Sequence, residues 1–321
     1  MRKILSLLCL IAGALATTIA SASEWPTKPV KIVVPFAAGG QSDVIARLIA
    51  QSLSDQFRQQ FIIENQAGGG TVIGTRNTAR AERDGQTLMI SGMSSHVLSP
   101  AMNKDLGFDP IQDFTHIAYI GGSPTVFVVH PSTGVKNFED FVRWAKATEG
   151  GAQYVSPGVG SGGNAVAEFF ASKAGLKLVH VPHRGGNTAV ADLVAGHVKM
   201  GSLTWSTARE HVSAGTLIPI AISSGERLPG FQQIPTFKEK GFPDVVTTVW
   251  LALSGPSGLP ADLAQRLNGA VNKALEQPSV RRHLEQDAFD IRPMTQAQTT
   301  TYFKSEFDKW VPAMRAALSQ K

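Results

Sequence analysis

The sequence predicts an α/β protein of two lobes, each a mostly parallel sheet flanked by helices, with a ligand crevice between the lobes. Three observations support this prediction. Strand-like runs alternate along the chain with runs of helical periodicity, which is typical of parallel sheets covered by helices. The length of 321 residues exceeds the usual size of one hydrophobic core. A glycine-rich turn precedes a predicted helix once in each lobe, and such turns face the crevice at strand ends.

The elements of the first lobe follow from short-range patterns. Residues 30–34 (VKIVV) predict a strand, and the turn at residues 37–40 (AAGG) follows it. A helix should begin near Ser42 or Asp43, because apolar residues then recur at helical spacing. The next predicted elements are strands at residues 61–63 and 88–90, separated by glycines 68–70 and a helical stretch around residues 75–81.

The second lobe repeats the alternation. Asn137 with Asp140 is a helix start signal, and Gly175 and Gly196 are helix stop signals. The predicted elements are a strand at residues 126–129, a helix after Asn137, a strand at Tyr154, a helix at residues 164–174, a strand at residues 178–181, a helix ended by Gly196 and a strand at residues 217–222. The tail from Pro260 is predicted to be largely helical.

The first residues have the features of a signal peptide. Arg2 and Lys3 precede an apolar run at residues 4–19 and the small residues 20–22 (ASA), so we expect residues 1–22 to be a secretory signal peptide cleaved near Ala22. The alternative is a membrane-anchoring helix, but the run is short for a span of roughly 20 residues. Cys9, the one cysteine, lies in this segment. The exported protein would therefore have no disulfide.

Composition and motifs argue against several classes of partner. The net charge is +5 and falls to about +3 without Arg2 and Lys3. The basic residues are scattered, so no nucleic-acid partner is expected. No metal is expected, because the sequence has no H-E-x-x-H motif, no paired cysteines and no clustered ligand spacing.

Residues 158–163 (GVGSGG) match the consensus G-x-G-x-x-G of a dinucleotide-binding fingerprint. Such a site also requires an acidic residue at the end of the next strand, where this chain has Pro182, His183 and Arg184. Arg184 could contact the 2′-phosphate of a phosphorylated dinucleotide, so geometry does not exclude that cofactor. An exported protein would, however, need the cofactor to be supplied outside the cytoplasm. We therefore expect no cofactor. The alternative is a small carboxylate, because a glycine-rich turn at a helix start presents amides and the positive dipole end to any anion. Turns at residues 38–42 and 160–164 would hold it from both sides.

Many short segments form an ordered pattern that resembles the Bug family of periplasmic solute-binding proteins, the receptors of tripartite tricarboxylate transporters. The likeness extends from Trp25 to about Trp310. Its segments are residues 25–36, Gly39, Gly40 and Asp43, residues 64–65, 79–81, 84–85, 113–114, 158–161, 180–182 and 192–193, Gly196, Ala214, Gly215 and Leu217, residues 235–236, Gly241 and residues 250–260.

The resemblance implies a periplasmic, monomeric receptor that captures a carboxylate, passes it to membrane permease subunits and has no catalytic step. It implies a discontinuous lobe 1 (residues 23–121 and 225–321) and an inserted lobe 2 (residues 122–224), closing about strands near residues 117–122 and 220–224. The ligand-binding residues expected from it are Phe36, Ala38, Gly39, Gly40, Gln41, Ser42, Asp43, Ser91, Ser94, Ser95, His96, Gly160, Ser161, Gly162, Asn164, His183, Arg184, Gly185, Thr204 and Trp205.

Departures from the family pattern refine the expected ligand. Ala38 replaces the usual proline, and His183 and Arg184 replace the tyrosine and lysine that usually precede the glycine at residue 185. Leu203–Thr204–Trp205 stands where many members have an aspartate or asparagine. Without that acid we expect a carboxylate lacking an amino group, with an apolar or aromatic portion that Trp205 would face.

Several residues also have purely structural interpretations. Asp43 would cap the first helix, His96 and His183 would be ordinary histidines, Trp205 would pack in a core, and Arg184 would be a solvated charge. Two other functions also stay open. A hydrolase or transferase is one, although Val159 occupies the first glycine position that a nucleophile elbow around Ser161 would need. A receptor that delivers its ligand to a sensor protein is the other.

Overall fold

The computed structural model of the protein describes residues 25–103 and 105–319, and the predicted signal peptide lies outside these ranges. In chain order the elements are β1 (Val30–Val34), α1 (Gln41–Phe57), β2 (Phe61–Asn65), α2 (Val72–Ala79), β3 (Thr87–Gly92), a π-helical turn (Ser94–Leu98), α3 (Ser99–Met102), β4 (Phe114–Val129), α4 (Phe138–Ala147), β5 (Ala152–Ser156), α5 (Gly162–Ala174), β6 (Leu178–Pro182), α6 (Gly186–Val194), β7 (Met200–Thr204), α7 (Trp205–Ser213), β8 (Ile218–Ile222), β9 (Thr248–Pro256), α8 (Ala261–Glu276), α9 (Pro278–Gln286) and α10 (Gln296–Leu318).

Local sequence signals explain where the helices begin and end. The apolar stripe of α1 is buried at Ile45, Ile49 and Leu53, as predicted. Asn137 caps α4 by accepting a hydrogen bond from the Asp140 amide at 2.9 Å, which confirms the predicted start signal. The predicted helix at residues 164–174 begins at Gly162 instead, because Ser161 is its N-cap.

The sheet is parallel at its outer strands and antiparallel in the middle. β1 pairs in parallel with β2 and β3, and β5 pairs in parallel with β6 and β7. β9 pairs antiparallel with both β3 and β4, and β4 pairs antiparallel with β7 and β8. The predicted two-lobed α/β fold is confirmed, but the sheets are mixed, because β4 and β9 are antiparallel to their neighbours where the chain crosses between lobes.

The long strand β4 belongs to both lobes. Residues 114–124 pair with β9 on the lobe 1 side, whereas residues 125–129 pair with β7 and β8 in lobe 2. One apolar cluster extends across this junction and includes Tyr119, Phe127 and Phe170 together with Phe303 of α10. The C-terminal helix α10 therefore packs against both lobes.

The segment that returns from lobe 2 packs against the lobe it leaves. Thr236 forms a bridge with Ile222 at the end of β8. The Phe237 ring lies 4.8 Å from that of Phe127 and 5.2 Å from that of Phe170, centroid to centroid. This packing favours an inserted lobe that extends to about Thr247; the division of the chain into lobes stays a prediction. Of the helices that the structure describes, none is both long and apolar enough to cross a membrane.

Candidate functional site

A crevice between the lobes is lined by strand ends and helix starts. Lobe 1 contributes the loop after β1 and the residues that follow β3, lobe 2 contributes the starts of α5, α6 and α7, and β9 contributes Val249 and Leu251. The predicted ligand-binding residues that line the crevice are Phe36, Gly40, Gln41, Ser42, Ser91, Ser94, Ser95, Ser161, Gly162, Gly185 and Thr204.

Four helices direct their N-termini at this crevice. α1 begins at Gln41, α5 at Gly162, α6 at Gly186 and α7 at Trp205, and the first turn of each contributes lining residues. Amides of a first helical turn have no partner within the helix, and the helix dipole makes this end positive. The crevice therefore offers an anion neutral donors from both lobes.

The remaining walls of the crevice are apolar. Phe36, Ile90, Val249 and Leu251 lie among the lining residues. Within the described ranges, none of the lining residues is acidic or basic. A ligand anion would therefore be held by amides and hydroxyls, and its carbon skeleton would contact these apolar side chains.

Asp43 lies behind the first loop and orders it. Its carboxylate is 3% exposed and accepts hydrogen bonds from the Gly39 amide (2.9 Å), the Asn65 side chain (2.9 Å) and the Arg47 guanidinium (3.0 Å to each oxygen). Burial raises the pKa of Asp43, but the bonds from Arg47, Gly39 and Asn65 outweigh it and lower the pKa overall. The anionic carboxylate thus holds Gly39 at a φ of 80°.

Ser161 and Asn164 shape the second loop. The Ser161 hydroxyl donates to the Gly158 carbonyl at 2.7 Å and accepts from the Asn164 amide at 3.3 Å. The Asn164 side chain is 1% exposed; it accepts from the Gly160 amide at 3.2 Å and donates to the Tyr154 hydroxyl at 2.8 Å. Gly160 and Asn164 therefore lie behind the crevice lining, where they fix the path of the loop.

Glycine is required at residues 162 and 163 by close approach. A Cβ at Gly162 would collide with the Val249 side chain, and one at Gly163 would collide with the Ser202 carbonyl. These glycines let the start of α5 approach β9 and β7. The amides of the first turn consequently lie in the crevice wall.

His96 and Trp205 are buried away from the crevice. His96 is fully buried against Phe114, His116 and Phe303. Its Nδ1 lies 2.9 Å from the Ser95 hydroxyl, so it supports a lining residue from behind. Trp205 is 1% exposed and packs edge-on against Phe231 at 4.5 Å. The Trp205 ring is therefore not part of the crevice lining, in which the apolar side chains include Phe36 and Leu251.

The other predicted residues lie at the mouth of the crevice. His183 and Arg184 line an adjoining outer pocket, and Ala38 and Gly39 are exposed on the first loop. The Gly39 carbonyl accepts a hydrogen bond from the Asn187 side chain of α6 at 2.6 Å, across the crevice.

Several residues of the site were not predicted from the sequence. Gly186 and Asn187 directly follow the predicted residues 183–185, so the helix start there was a usable signal. Thr207, Ile90, Val249 and Leu251 also line the crevice. The β9 residues had no such signal, because an apolar strand does not reveal which face will meet a crevice.

Two α/β lobes that meet across a crevice lined by helix N-termini define a two-lobed solute-binding protein. The particular family is identified by a sequence model: residues 45–317 match the model of the tripartite tricarboxylate transporter family receptor. The chain belongs to this family, which confirms the resemblance to Bug receptors. Its members are receptors and not enzymes.

Individual relatives cover nearly the whole chain. BugT of Bordetella pertussis is 29% identical over 306 residues, covering 95% of this chain and 94% of BugT. Rpa4515 of R. palustris, solved with adipate, has a TM-score of 0.86 and 28% identity, covering 92% of this chain and 98% of that one. MatC (Rpa3494) of Rhodopseudomonas palustris, with bound malate, has a TM-score of 0.86 and 27% identity, covering 90% and 100%.

Proposed function

We propose that this receptor captures a small carboxylate without an amino group in the periplasm and delivers it to the membrane permease subunits of a tripartite tricarboxylate-type transporter. The observation that carries the proposal is the convergence of four helix N-termini, from both lobes, on an uncharged crevice. That arrangement supplies several donors and a favourable potential to one anionic group.

The exclusion of an amino group is argued from the lining. An ammonium group needs a carboxylate or several carbonyl acceptors in a buried site. Among the described lining residues none is acidic. Asp43, the buried acid behind the first loop, is already engaged by Arg47, Gly39 and Asn65. The adipate of Rpa4515 and the malate of MatC, both carboxylates without an amino group, support the same class of ligand.

Capture would proceed by closure of the lobes. A ligand biases closure only if it binds the closed form more tightly than the open form. The crevice lining supports such a bias, because it includes Ser42 of lobe 1 and Ser161 of lobe 2, which a carboxylate among the helix starts would contact together. Delivery to a permease is supported by the family of transporter receptors, and export by the signal-peptide pattern of residues 1–22.

A thermal-shift screen tests the ligand class. Residues 23–321 would be tested against aliphatic dicarboxylates, tricarboxylates, aromatic acids and amino acids, with nicotinamide dinucleotides as controls. A ligand at 100 times its dissociation constant stabilises the fold by about 2.7 kcal/mol. We expect stabilisation by carboxylates without an amino group. Stabilisation by amino acids alone would contradict the proposal that the ligand lacks an amino group. Stabilisation by a dinucleotide alone would contradict the proposed function.

A further inference from the structure

An outer pocket continues the crevice towards solvent. It shares Phe36, Pro157 and Ser161 with the crevice, so the two spaces are contiguous. Its lobe 1 wall is the glycine-rich turn of residues 67–71, and its lobe 2 wall includes Val159, His183 and Arg184. Unlike the crevice, this pocket has a cationic side chain in its lining.

Three polar groups in the outer pocket lack hydrogen-bond partners within the part of the chain that the structure describes. Thr71 is 3% exposed and its hydroxyl is unpartnered. His183 Nε2 has no hydrogen bond, although it lies 3.4 Å from an Asp192 carboxylate oxygen that is not in the pocket lining. The exposed Arg184 guanidinium has neither a hydrogen bond nor an ion pair among the described residues. An unpaired buried hydroxyl is unfavourable unless a ligand satisfies it.

The backbone at Thr71, which carries this buried hydroxyl, is strained. Thr71 has a φ of 83°, which is unfavourable for a β-branched residue. The turn is closely packed by neighbours in both lobes. The Thr71 carbonyl accepts from the Thr75 hydroxyl at 2.8 Å, and a Cβ at Gly70 would lie 2.8 Å from the Val159 carbonyl of lobe 2. Strain of this kind is common at ligand sites.

We infer that the outer pocket is a second anion subsite, which binds the far carboxylate of an elongated dicarboxylate. This inference rests on the proposed function, in which the near carboxylate lies among the helix N-termini. Arg184 supplies a guanidinium that binds a carboxylate through two parallel hydrogen bonds, and the Thr71 hydroxyl supplies a further donor. Phe36 and Pro157, which belong to both spaces, contact the methylene groups that join the two carboxylates.

Paired ligands test the inference. Straight-chain dicarboxylates from succinate to suberate are titrated into the protein by calorimetry, each beside the monocarboxylate of equal chain length. We expect the wild type to prefer one dicarboxylate over its monocarboxylate partner by about tenfold or more. In Arg184→Ala that preference is lost, because the dicarboxylate binds about tenfold more weakly while the monocarboxylate is unaffected. Arg184→Lys should retain part of the preference, since it keeps the charge but not the bidentate geometry.

Matched variants test whether the changes in affinity are specific to the outer pocket. Arg282→Ala removes the same charge from an exposed position of α9 and should leave both affinities unchanged. Thr71→Val should weaken the dicarboxylate selectively, whereas Thr71→Ser keeps the hydroxyl and should preserve its binding. Melting temperatures of the unliganded variants show whether each one is folded.

The outcomes separate the two claims. If no carboxylate binds to the wild type, the proposed function fails and the inference fails with it. If carboxylates bind but the wild type does not prefer a dicarboxylate, or if Arg184→Ala weakens monocarboxylates and dicarboxylates equally, the outer subsite is contradicted and the receptor function stands.

Discussion

The side-chain amide of Asn187 donates a hydrogen bond to the carbonyl oxygen of Gly39 at 2.6 Å. Asn187 lies in the first turn of α6 in lobe 2, and Gly39 lies in the first loop of lobe 1. The same glycine is held from behind by its amide, which donates to Asp43. The two lobes are thus joined directly across the mouth of the crevice, through a loop that a buried carboxylate has already ordered.

Asn187→Ala should shift the protein towards the open form and weaken ligand binding. A neutral hydrogen bond contributes about 0.5–1.5 kcal/mol net, so the dissociation constant should rise by about 2-fold to 10-fold. Asn77→Ala is the matched control, because the Asn77 side chain bonds Gln66 at 2.8 Å within lobe 1. Titration calorimetry gives both affinities. Equal affinity in wild type and Asn187→Ala would show that the bond does not bias closure.

Asp43→Ala should reduce both stability and affinity. The change removes the side-chain acceptor of the Gly39 amide and one of the two acceptors of the Asn65 side-chain amide, which keeps its bond to the Phe36 carbonyl. We expect this loss to cost about 2 kcal/mol. The lowered pKa of Asp43 also predicts how the stability of the fold depends on pH. Its stabilisation is present above the unfolded carboxyl pKa of about 3.9 and is lost as the pH falls through the lower folded pKa. Urea unfolding of both proteins at pH 7 measures the difference; an unchanged midpoint would contradict the role of Asp43 in the loop.

Gly162→Ala should impair binding through a steric conflict. The new methyl group would collide with the Val249 side chain, and over-packing typically costs about 1–3 kcal/mol. We expect α5 to move away from β9, which displaces the first-turn amides and weakens carboxylate binding at least tenfold. Gly269→Ala in α8 is the control, since nothing lies within 4 Å of a Cβ there. It should stabilise the helix by about 0.5–1 kcal/mol and leave affinity unchanged.

Stability should fall in mild acid because of two buried histidines. Burial, and then the neighbouring His116, lower the pKa of His96, and burial lowers the pKa of His116 to about 3. Between the unfolded value of about 6.5 and these folded values the unfolded chain binds more protons. The unfolding free energy should therefore decrease with falling pH by up to about 1.4 kcal/mol per unit for each histidine, and level off above about pH 6.5.

Denaturant unfolding at several pH values measures this slope. His116→Phe should remove the contribution of one histidine while keeping a ring stacked on Phe303, from which the imidazole centroid lies 3.9 Å. His197→Gln is the control, because the His197 side chain is 70% exposed. A slope that is the same in His116→Phe and wild type would assign the acid sensitivity to other groups.

The elements were predictable wherever the signal was local. The stripe of α1, the Asn137 cap and the left-handed stop at Gly175 depend on neighbours within a few residues, and each was confirmed. The π-helical turn and the pairing of β9 were not predicted, because both depend on contacts far away in the chain. β9, for example, pairs with β3 and β4, more than 100 residues earlier.

The site residues also divide into those with a local sequence signal and those that depend on distant contacts. Backbone-donor loops could be recognised from glycine and serine at helix starts, and both loops line the crevice. The side that a single side chain faces could not be read from sequence. His96 and Trp205 both follow strand ends, as crevice residues do, yet their side chains are buried in the protein interior. Their contact with ligand stays a prediction. Burial by distant elements, such as Phe303 of α10 against His96, decided the orientation.

The shared strand β4 has a consequence for how the molecule folds. Because residues 114–129 form a strand of both lobes, and because one apolar cluster joins Phe127 and Phe170 to Phe303, lobe 2 has no boundary at which it can be excised with its core complete. We expect scanning calorimetry of the unliganded protein to give one cooperative transition in place of two. The inserted lobe would consequently not be an exchangeable module, and a chimaera that takes lobe 2 from a relative must take the facing part of α10 with it.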